Sequence, residues 1–259
     1  MKFSAVLAFL VVATVVSAEP LSIVGTGAGM DLLEQVAKEY MAQKPGAEIV
    51  VPASIGSGGG ITAVAKDKSV MARISRPLKE SESQDGLVYV EIAKMPIVFF
   101  TNPSANVKSL TKDQILKIFS GEVDNWKKAG GADLPILLVK RPKDDSSLGV
   151  LTASLKGFSG ENISTDAKTQ FTDQKALQYV VATKGSIAFG SCADAANNAV
   201  TTVAVEGVPP KDAKYPFLGI LALIYKEKNL TPEAKDFLAF VKSTKARKAI
   251  ANGYGLALF

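Results

Sequence analysis

Four short segments hold the residues able to do chemistry in this chain. Gly25-Thr26-Gly27-Ala28-Gly29 and Gly56-Ser57-Gly58-Gly59-Gly60 pair glycines with a hydroxyl. Ile74-Ser75-Arg76-Pro77-Leu78 and Arg141-Pro142-Lys143-Asp144-Asp145-Ser146-Ser147-Leu148-Gly149 pair serines with an arginine. Glycine lets backbone N–H groups approach a ligand with no Cβ in the way. The hydroxyls of Thr26, Ser57, Ser75, Ser146 and Ser147 add donors, and a guanidinium adds a planar fork that grips two oxygens of an oxyanion at once. The first, second and fourth segments each follow an apolar run and precede a helical pattern. Unpaired first-turn amides and the helix dipole at such junctions favour negative charge. Brought together, these turns make a cage of dipoles with one or two cations, suited to holding a small anion.

The composition narrows the chemistry further. The 259 residues include no histidine and a single cysteine, Cys192. Ser-His-Asp and Cys-His nucleophile arrangements and His-ligated zinc are excluded, as is an intrachain disulfide. No GxSxG elbow and no GxxxxGK[ST] phosphate loop occurs. Gly25–Gly29 has the look of a dinucleotide fingerprint, but Met30 stands where the third glycine belongs. A hydrolase built on Ser57 or Ser146 with Lys or Asp as base is the remaining enzymatic reading, and it lacks every companion motif. No catalytic residue, metal ligand or cofactor is therefore expected. Lys+Arg number 30 against Asp+Glu 25, a formal charge of +5, spread along the chain rather than packed into runs. Such a balance steers small anions better than it grips nucleic acid.

Alternating strand and helix patterns must position these segments. Leu21–Val24, Glu48–Val51, Ile97–Thr101, Pro135–Lys140, Ser186–Phe189, Thr201–Val205 and Gly219–Tyr225 read as strands. Asp31–Met41 carries one apolar helical face. Thr111 with Gln114 forms a capping box for a helix stopped by Gly121, Thr172 opens another that closes near Gly185, and Thr231-Pro232 opens a third whose buried stripe is Phe237, Leu238, Phe240 and Val241. The alternation predicts an α/β protein with mostly parallel sheets, its ligand crevice at the carboxyl ends of the strands. With 47% hydrophobic residues the chain is long enough for one large domain or two lobes. No Pro/Gly-rich linker separates halves, so two lobes would be joined by extended segments, around Phe100–Pro103 and Lys214–Leu218. Trp126 and Cys192 read as buried structural residues.

Over most of its length the sequence resembles the phosphate-type substrate-binding proteins of ABC importers. The resemblance is carried by Gly25-Thr26-Gly27, Gly56–Gly60, Ser75-Arg76-Pro77-Leu78 and Leu110-Thr111, and most specifically by Phe119-Ser120-Gly121 with Asn125-Trp126. It continues through Gly185–Gly190, Tyr215-Pro216-Phe217 and Gly253-Tyr254-Gly255. It implies a two-lobed periplasmic binding protein fold (type II-like), each lobe a mixed or parallel sheet flanked by helices, with two crossover strands. Lobe one would comprise residues 19–99 and 215–259, and lobe two 100–214. The implied ligand is an inorganic oxyanion, phosphate first, with sulfate, molybdate, tungstate or a small organic anion as alternatives. The implied contacts are Thr26, Gly27, Ser57, Gly58 and Ser75 or Arg76 from lobe one, and Arg141, Ser146 and Ser147 from lobe two. A monomer delivering to an inner-membrane ABC permease, or a sensor on the same fold, would follow. Two departures stand out. Leu148 lies where many members carry a hydroxyl. No acid adjoins Ser75 to accept the proton of hydrogen phosphate, leaving Asp67, Glu80, Asp144 and Asp145 as the acids considered for that role.

The first residues predict an address. Lys2 precedes a nearly continuous apolar run, Ala5–Val16, and Val16-Ser17-Ala18 fits signal-peptidase cleavage after Ala18. The run is shorter than the roughly 20 residues of a membrane span. No cysteine lies nearby for a lipoprotein anchor, so a soluble periplasmic protein is expected.

Overall fold

The computed structural model describes residues 19–259, and the expected export segment, Met1–Ala18, lies outside the described residues. The chain begins β1 (Leu21–Gly25), α1 (Met30–Gln43), β2 (Ile49–Val50), α2 (Gly56–Ala65), β3 (Met71–Ile74) and the long β4 (Val88–Thr101). There follow β5 (Ser109–Leu110), α3 (Lys112–Ser120), β6 (Leu137–Lys140), α4 (Ser146–Ser154), β7 (Lys168–Thr169), α5 (Asp173–Ala182), β8 (Ser186–Ser191) and α6 (Cys192–Ala196). The chain closes with β9 (Thr201–Thr202), β10 (Ala204–Val205), β11 (Leu218–Tyr225), α7 (Pro232–Phe240), α8 (Thr244–Asn252) and β12 (Leu256–Ala257).

Local signals placed many of these ends. The Thr111 hydroxyl accepts from Gln114 N–H while the Gln114 side chain accepts from Thr111 N–H, and Gly121 ends α3 in the left-handed conformation. Thr172 and Thr231 cap α5 and α7 through their side chains. In α7 the fully buried positions are Ala234 and Phe237, followed by Val241, while Leu238 and Phe240 are only partly buried against the same core.

The sheet order is β2-β1-β3-β11-β4-β8-β6-β7, with β12 and β9 also on β4. β1 pairs parallel with β2 and β3, and β6 pairs parallel with β7 and β8. Contrary to the mostly parallel expectation, the centre is antiparallel: β11 against β3 and β4, and β4 against β8 and β9. The cause is the 14-residue β4. Its first part, Val88–Pro96, pairs with β11, and its last five residues, Ile97–Thr101, pair with β8, so one strand runs through both halves. Beside it the chain returns at Phe217, whose carbonyl accepts from Ile97 N–H (2.9 Å). The segment Thr201–Val205 splits, β9 pairing with β4 and β10 with β5.

The core divides at the same place. One apolar cluster spans Ile97 to Phe217 and centres on Phe99, Phe119, Phe158 and Phe189, whose rings meet mostly edge to face. Trp126 is fully buried in it and donates its indole N–H to Gly185 O (2.9 Å). Cys192 is buried in the same cluster, and burial pushes its thiol up to about 12. The second cluster joins α1, α7 and α8 to β1 and β11 through Leu32, Leu33, Val36, Leu221, Phe237 and Ile250. A third, smaller cluster packs α2 onto β3 and β11 through Ile61, Val64, Ile74 and Ile224. The cores of the two lobes, hung on shared strands, leave a gap that is lined by loops and helix ends.

Candidate functional site

The gap is built from four junctions. At the end of β1, Gly25 takes φ +130° and passes so near β3 that a Cβ would lie 2.0 Å from Arg73 O, so only glycine fits. The chain then turns, with Thr26 N–H donating to Arg73 O (3.1 Å) and Ala28 N–H to Thr26 Oγ1 (3.2 Å). Thr26 Oγ1 lies 3.1 Å from Ser75 Oγ at the end of β3. Ser75 N–H in turn donates to Ser57 Oγ (3.2 Å). Gly56–Gly60, expected as a loop before a helix, is itself the first half of α2. Glycine is a poor helix former, by about 1 kcal/mol relative to alanine. Here it permits close packing, since a Cβ on Gly60 would sit 2.9 Å from Gly25 Cα and 3.2 Å from Ala72 Cβ.

From the other lobe, β6 ends at Lys140 and delivers Arg141, and α4 begins at Ser146, earlier than its apolar residues suggest. Asp145 caps α4 by accepting from Leu148 N–H (2.9 Å) through Oδ1, while its Oδ2 accepts from Arg141 Nε (3.1 Å) and Nη2 (2.7 Å). Asp173, the first residue of α5, adds an oxygen 3.4 Å from the same Nη2. Ser146 Oγ reaches across the gap to lie 3.0 Å from Ser57 Oγ. These residues enclose a cavity of about 400 Å³ lined by Thr26, Gly27, Ser57, Arg141, Ser146 and Asp173 among others. The N-termini of α2, α4 and α5 all open onto it.

Its electrostatics are those of a caged cation with two opposing acids, Asp145 and Asp173. Arg141 is buried, and although burial pulls its pKa down, the carboxylates of Asp173 and Asp145 outweigh that and hold it above its ordinary value. Burial pushes the Asp173 carboxyl up to about 6, with Arg141 opposing and Asp145 adding to the rise. Arg141 Nη1, Ser147 Oγ and Asp173 Oδ1 are buried without a hydrogen-bond partner. Arg141 and Asp173 both line the cavity, and an unpartnered guanidinium N–H beside an unpartnered carboxylate oxygen suits a ligand that both accepts and donates.

The structure gathers Thr26, Gly27, Ser57, Gly58, Arg141 and Ser146 around this cavity. Ser75 joins it through the Thr26 and Ser57 hydroxyls, and Ser147 is buried just inside α4. Arg76 does not join them. Its guanidinium is held by the Glu82 carboxylate (2.7 and 2.8 Å), and it lines an adjoining cleft of about 700 Å³ that takes in Ser75 and shares Gly58, Asp144, Asp145 and Ser146 with the smaller cavity. The α1 terminus is a second difference. Gly29 N–H and Asp31 N–H donate to the buried carboxyl of Asp194, from α6 (3.3 and 3.1 Å), so these amides serve a protein acid and only the Thr26–Gly27 turn faces the cavity. Burial holds the Asp194 carboxyl well above the usual range. Leu148 belongs to the core of its lobe, so its missing hydroxyl is a packing choice.

Sequence reasoning missed Asp173, Arg73 and the positioning role of Asp145. An acid following a helix cap is ordinary first-turn chemistry, so Asp173 carried no separate signal. Arg73 lies in β3, whose short run was not read as a strand at all.

Two α/β lobes sharing a long strand, with a polar cavity between their loop ends, define a solute receptor of the periplasmic binding protein class. A family model for the PBP superfamily domain matches residues 13–245. The phosphate-binding protein PstS of Bacillus subtilis is 30% identical over 242 residues, covering 91% of this chain and 79% of that protein. A Clostridium perfringens protein solved with bound phosphate and named for phosphate ABC transport superposes with a TM-score of 0.82 at 28% identity, covering 93% of this chain and all of the other. An ABC-type phosphate transport receptor from Vibrio cholerae gives 0.63 at 25% identity, covering 92% of this chain and all of that one. The chain belongs to the PBP superfamily and, within it, to the phosphate-binding branch that serves ABC importers.

Proposed function

We propose that the protein captures inorganic phosphate between its two lobes, residues 19–99 with 215–259 and residues 100–214, and presents it as a monomer to an ABC permease. The observation that carries this reading is that two residues lining one cavity, Arg141 and Asp173, hold an unpartnered donor (Nη1) and an unpartnered acceptor (Oδ1). Hydrogen phosphate matches both, since its oxygens accept and its remaining proton donates. Asp173 thereby fills the role for which Asp67, Glu80, Asp144 and Asp145 were the candidates by sequence. Asp145 is engaged by Arg141 and the α4 cap, and Asp67 by Lys226 and Asn229; Asp144 lines the cavity but is exposed, as is Glu80, whereas Asp173 is buried. Thr26, Ser57, Ser75, Ser146 and Ser147 supply neutral donors, and the α2, α4 and α5 dipoles add to them.

Binding needs both lobes. A micromolar complex requires about −8 kcal/mol net, while each charge-assisted bond contributes about 1.5–3 kcal/mol. Several must form together on an anion stripped of water, and the donors come half from each side. The ligand therefore stabilises the closed arrangement, and release to the permease accompanies opening. The apolar core divides at Ile97 and Phe217, two or three residues into the lobe-one bounds, and this division supports lobes that move as bodies. Export to the periplasm rests on the Met1–Ala18 pattern; in the described residues no helix is long and apolar enough to cross a membrane.

Calorimetric titration of the mature protein with phosphate, arsenate, sulfate, molybdate and tungstate tests the reading. Phosphate binding that is strongly weakened in Arg141→Ala is expected. Silence across the panel would refute it.

A further inference from the structure

β3 reads Met71-Ala72-Arg73-Ile74, and all four residues are buried. Its neighbours are aliphatic, so an aliphatic side chain is what the layer asks for at position 73. Arg73 is instead completely enclosed, and among the described residues it takes part in no ion pair. A buried cation without a counter-ion is expensive unless its donors are satisfied. All three donating nitrogens reach backbone carbonyls: Nε to Thr26 O (2.7 Å), Nη1 to Ile23 O and Nη2 to Pro52 O (2.7 Å). Those carbonyls belong to β1, to the turn that carries Thr26 and Gly27, and to the segment leading into α2 and Ser57. One guanidinium thus ties together both lobe-one edges of the anion cavity from behind the Thr26 turn.

The charge persists there. Burial draws the guanidinium down to about 10, against the fields of Asp194 and Glu34, so it stays protonated at neutral pH. Carbonyl dipoles satisfy its hydrogens but leave its unit charge in place; the Asp194 and Glu34 carboxyls oppose it without pairing with it, and no solvent surrounds it to screen what remains.

We propose that Arg73 is a positioning residue of the anion site that also supplies a fixed positive charge beneath the Thr26–Gly27 turn, so that affinity for a doubly charged oxyanion depends on it without contact. This rests on the phosphate reading of the same cavity and adds a second cation to Arg141. It explains why a strand position suited to an aliphatic residue holds arginine.

Two substitutions separate charge from scaffolding. R73K keeps the charge but cannot span three carbonyls, whereas R73Q keeps donors and loses the charge. Wild type, R73K and R73Q are titrated with inorganic phosphate at about pH 8, above the Asp173 range, and their thermal midpoints are measured alongside. R73Q is expected to bind phosphate at least about tenfold more weakly than R73K, whichever is the more thermally stable. Equal affinities in the two variants, or affinity that follows thermal stability rather than charge, would overturn the proposal. Should R73Q fail to fold, R73K decides alone: affinity within about tenfold of wild type supports the charge, and a greater loss in a folded R73K overturns it. A wild type silent toward phosphate is a separate result, and it defeats the ligand reading itself.

Discussion

Replacing Asp173 by asparagine should erase discrimination between phosphate and sulfate while leaving the fold intact. At about pH 8 the wild-type carboxyl, raised by burial only to about 6, is ionised. The residue lines the anion cavity, with Oδ2 opposite Gly27, and its Oδ1 is buried without a protein partner. Hydrogen phosphate offers it a proton, whereas sulfate has none to give and sets an oxygen lone pair against a carboxylate. The difference is at least one charge-assisted hydrogen bond, about 1.5–3 kcal/mol. At about 1.4 kcal/mol per factor of ten, that is roughly a tenfold to hundredfold preference. Asparagine presents either a carbonyl or an amide N–H, so both anions are accepted and the preference collapses. The assay is paired calorimetric titration of wild type and Asp173→Asn with the two anions. The pH dependence has a defined sign. As pH falls through about 6 the wild-type carboxyl gains a proton and becomes a donor, so sulfate should compete better in acid and no such change should appear in the variant. An unchanged phosphate-to-sulfate ratio in a folded Asp173→Asn protein would refute the reasoning.

Other substitutions have equally definite outcomes. Gly27→Ala places a Cβ 2.5 Å from Asp173 Oδ2 across the gap, so the lobes should be propped apart; phosphate affinity falls, and small-angle scattering no longer shows ligand-induced compaction. Arg76→Ala breaks the partly exposed pair with Glu82 and a hydrogen bond to Pro77 O, neither of which holds the cavity's donors, so titration should show phosphate affinity within about threefold of wild type and denaturant unfolding a stability loss of no more than about 1 kcal/mol. Asp194→Ala leaves the Gly29 and Asp31 amides without their acceptor and should cost about 1–2 kcal/mol in denaturant unfolding. Wild-type stability should itself carry a pH signature, read by thermal unfolding at several pH values. The Asp173 and Asp194 carboxyls are both raised in the fold, so their contribution is full below the ordinary carboxylate range and is lost as pH rises through their folded values.

Much of this protein follows from neighbours in sequence. The Thr111–Gln114 box, the Gly121 stop, the Thr172 and Thr231 caps and the α1 stripe are local effects, decided within a turn or two of chain, and they appear where the pattern puts them. The hydroxyl and glycine turns were legible for the same reason, because strand-turn-helix junctions expose amides whatever they later face. The long-range arrangement was not legible. Met71–Ile74 is too short to announce a strand, and β4 outruns its apolar stretch because its first residues, Val88–Glu91, are only partly buried or exposed. Whether an arginine serves a ligand, a glutamate or three carbonyls depends on which distant segment packs beside it. Arg141, Arg76 and Arg73 are alike in composition and differ only in those neighbours. The sequence alone determined the donor chemistry and the class of fold, since both rest on residue type and short spacing. Tertiary structure alone decided which donors share a cavity, and that an acid from α5 stands among them, because contacts between residues about 150 apart, such as Gly27 and Asp173, exist only once the two lobes meet.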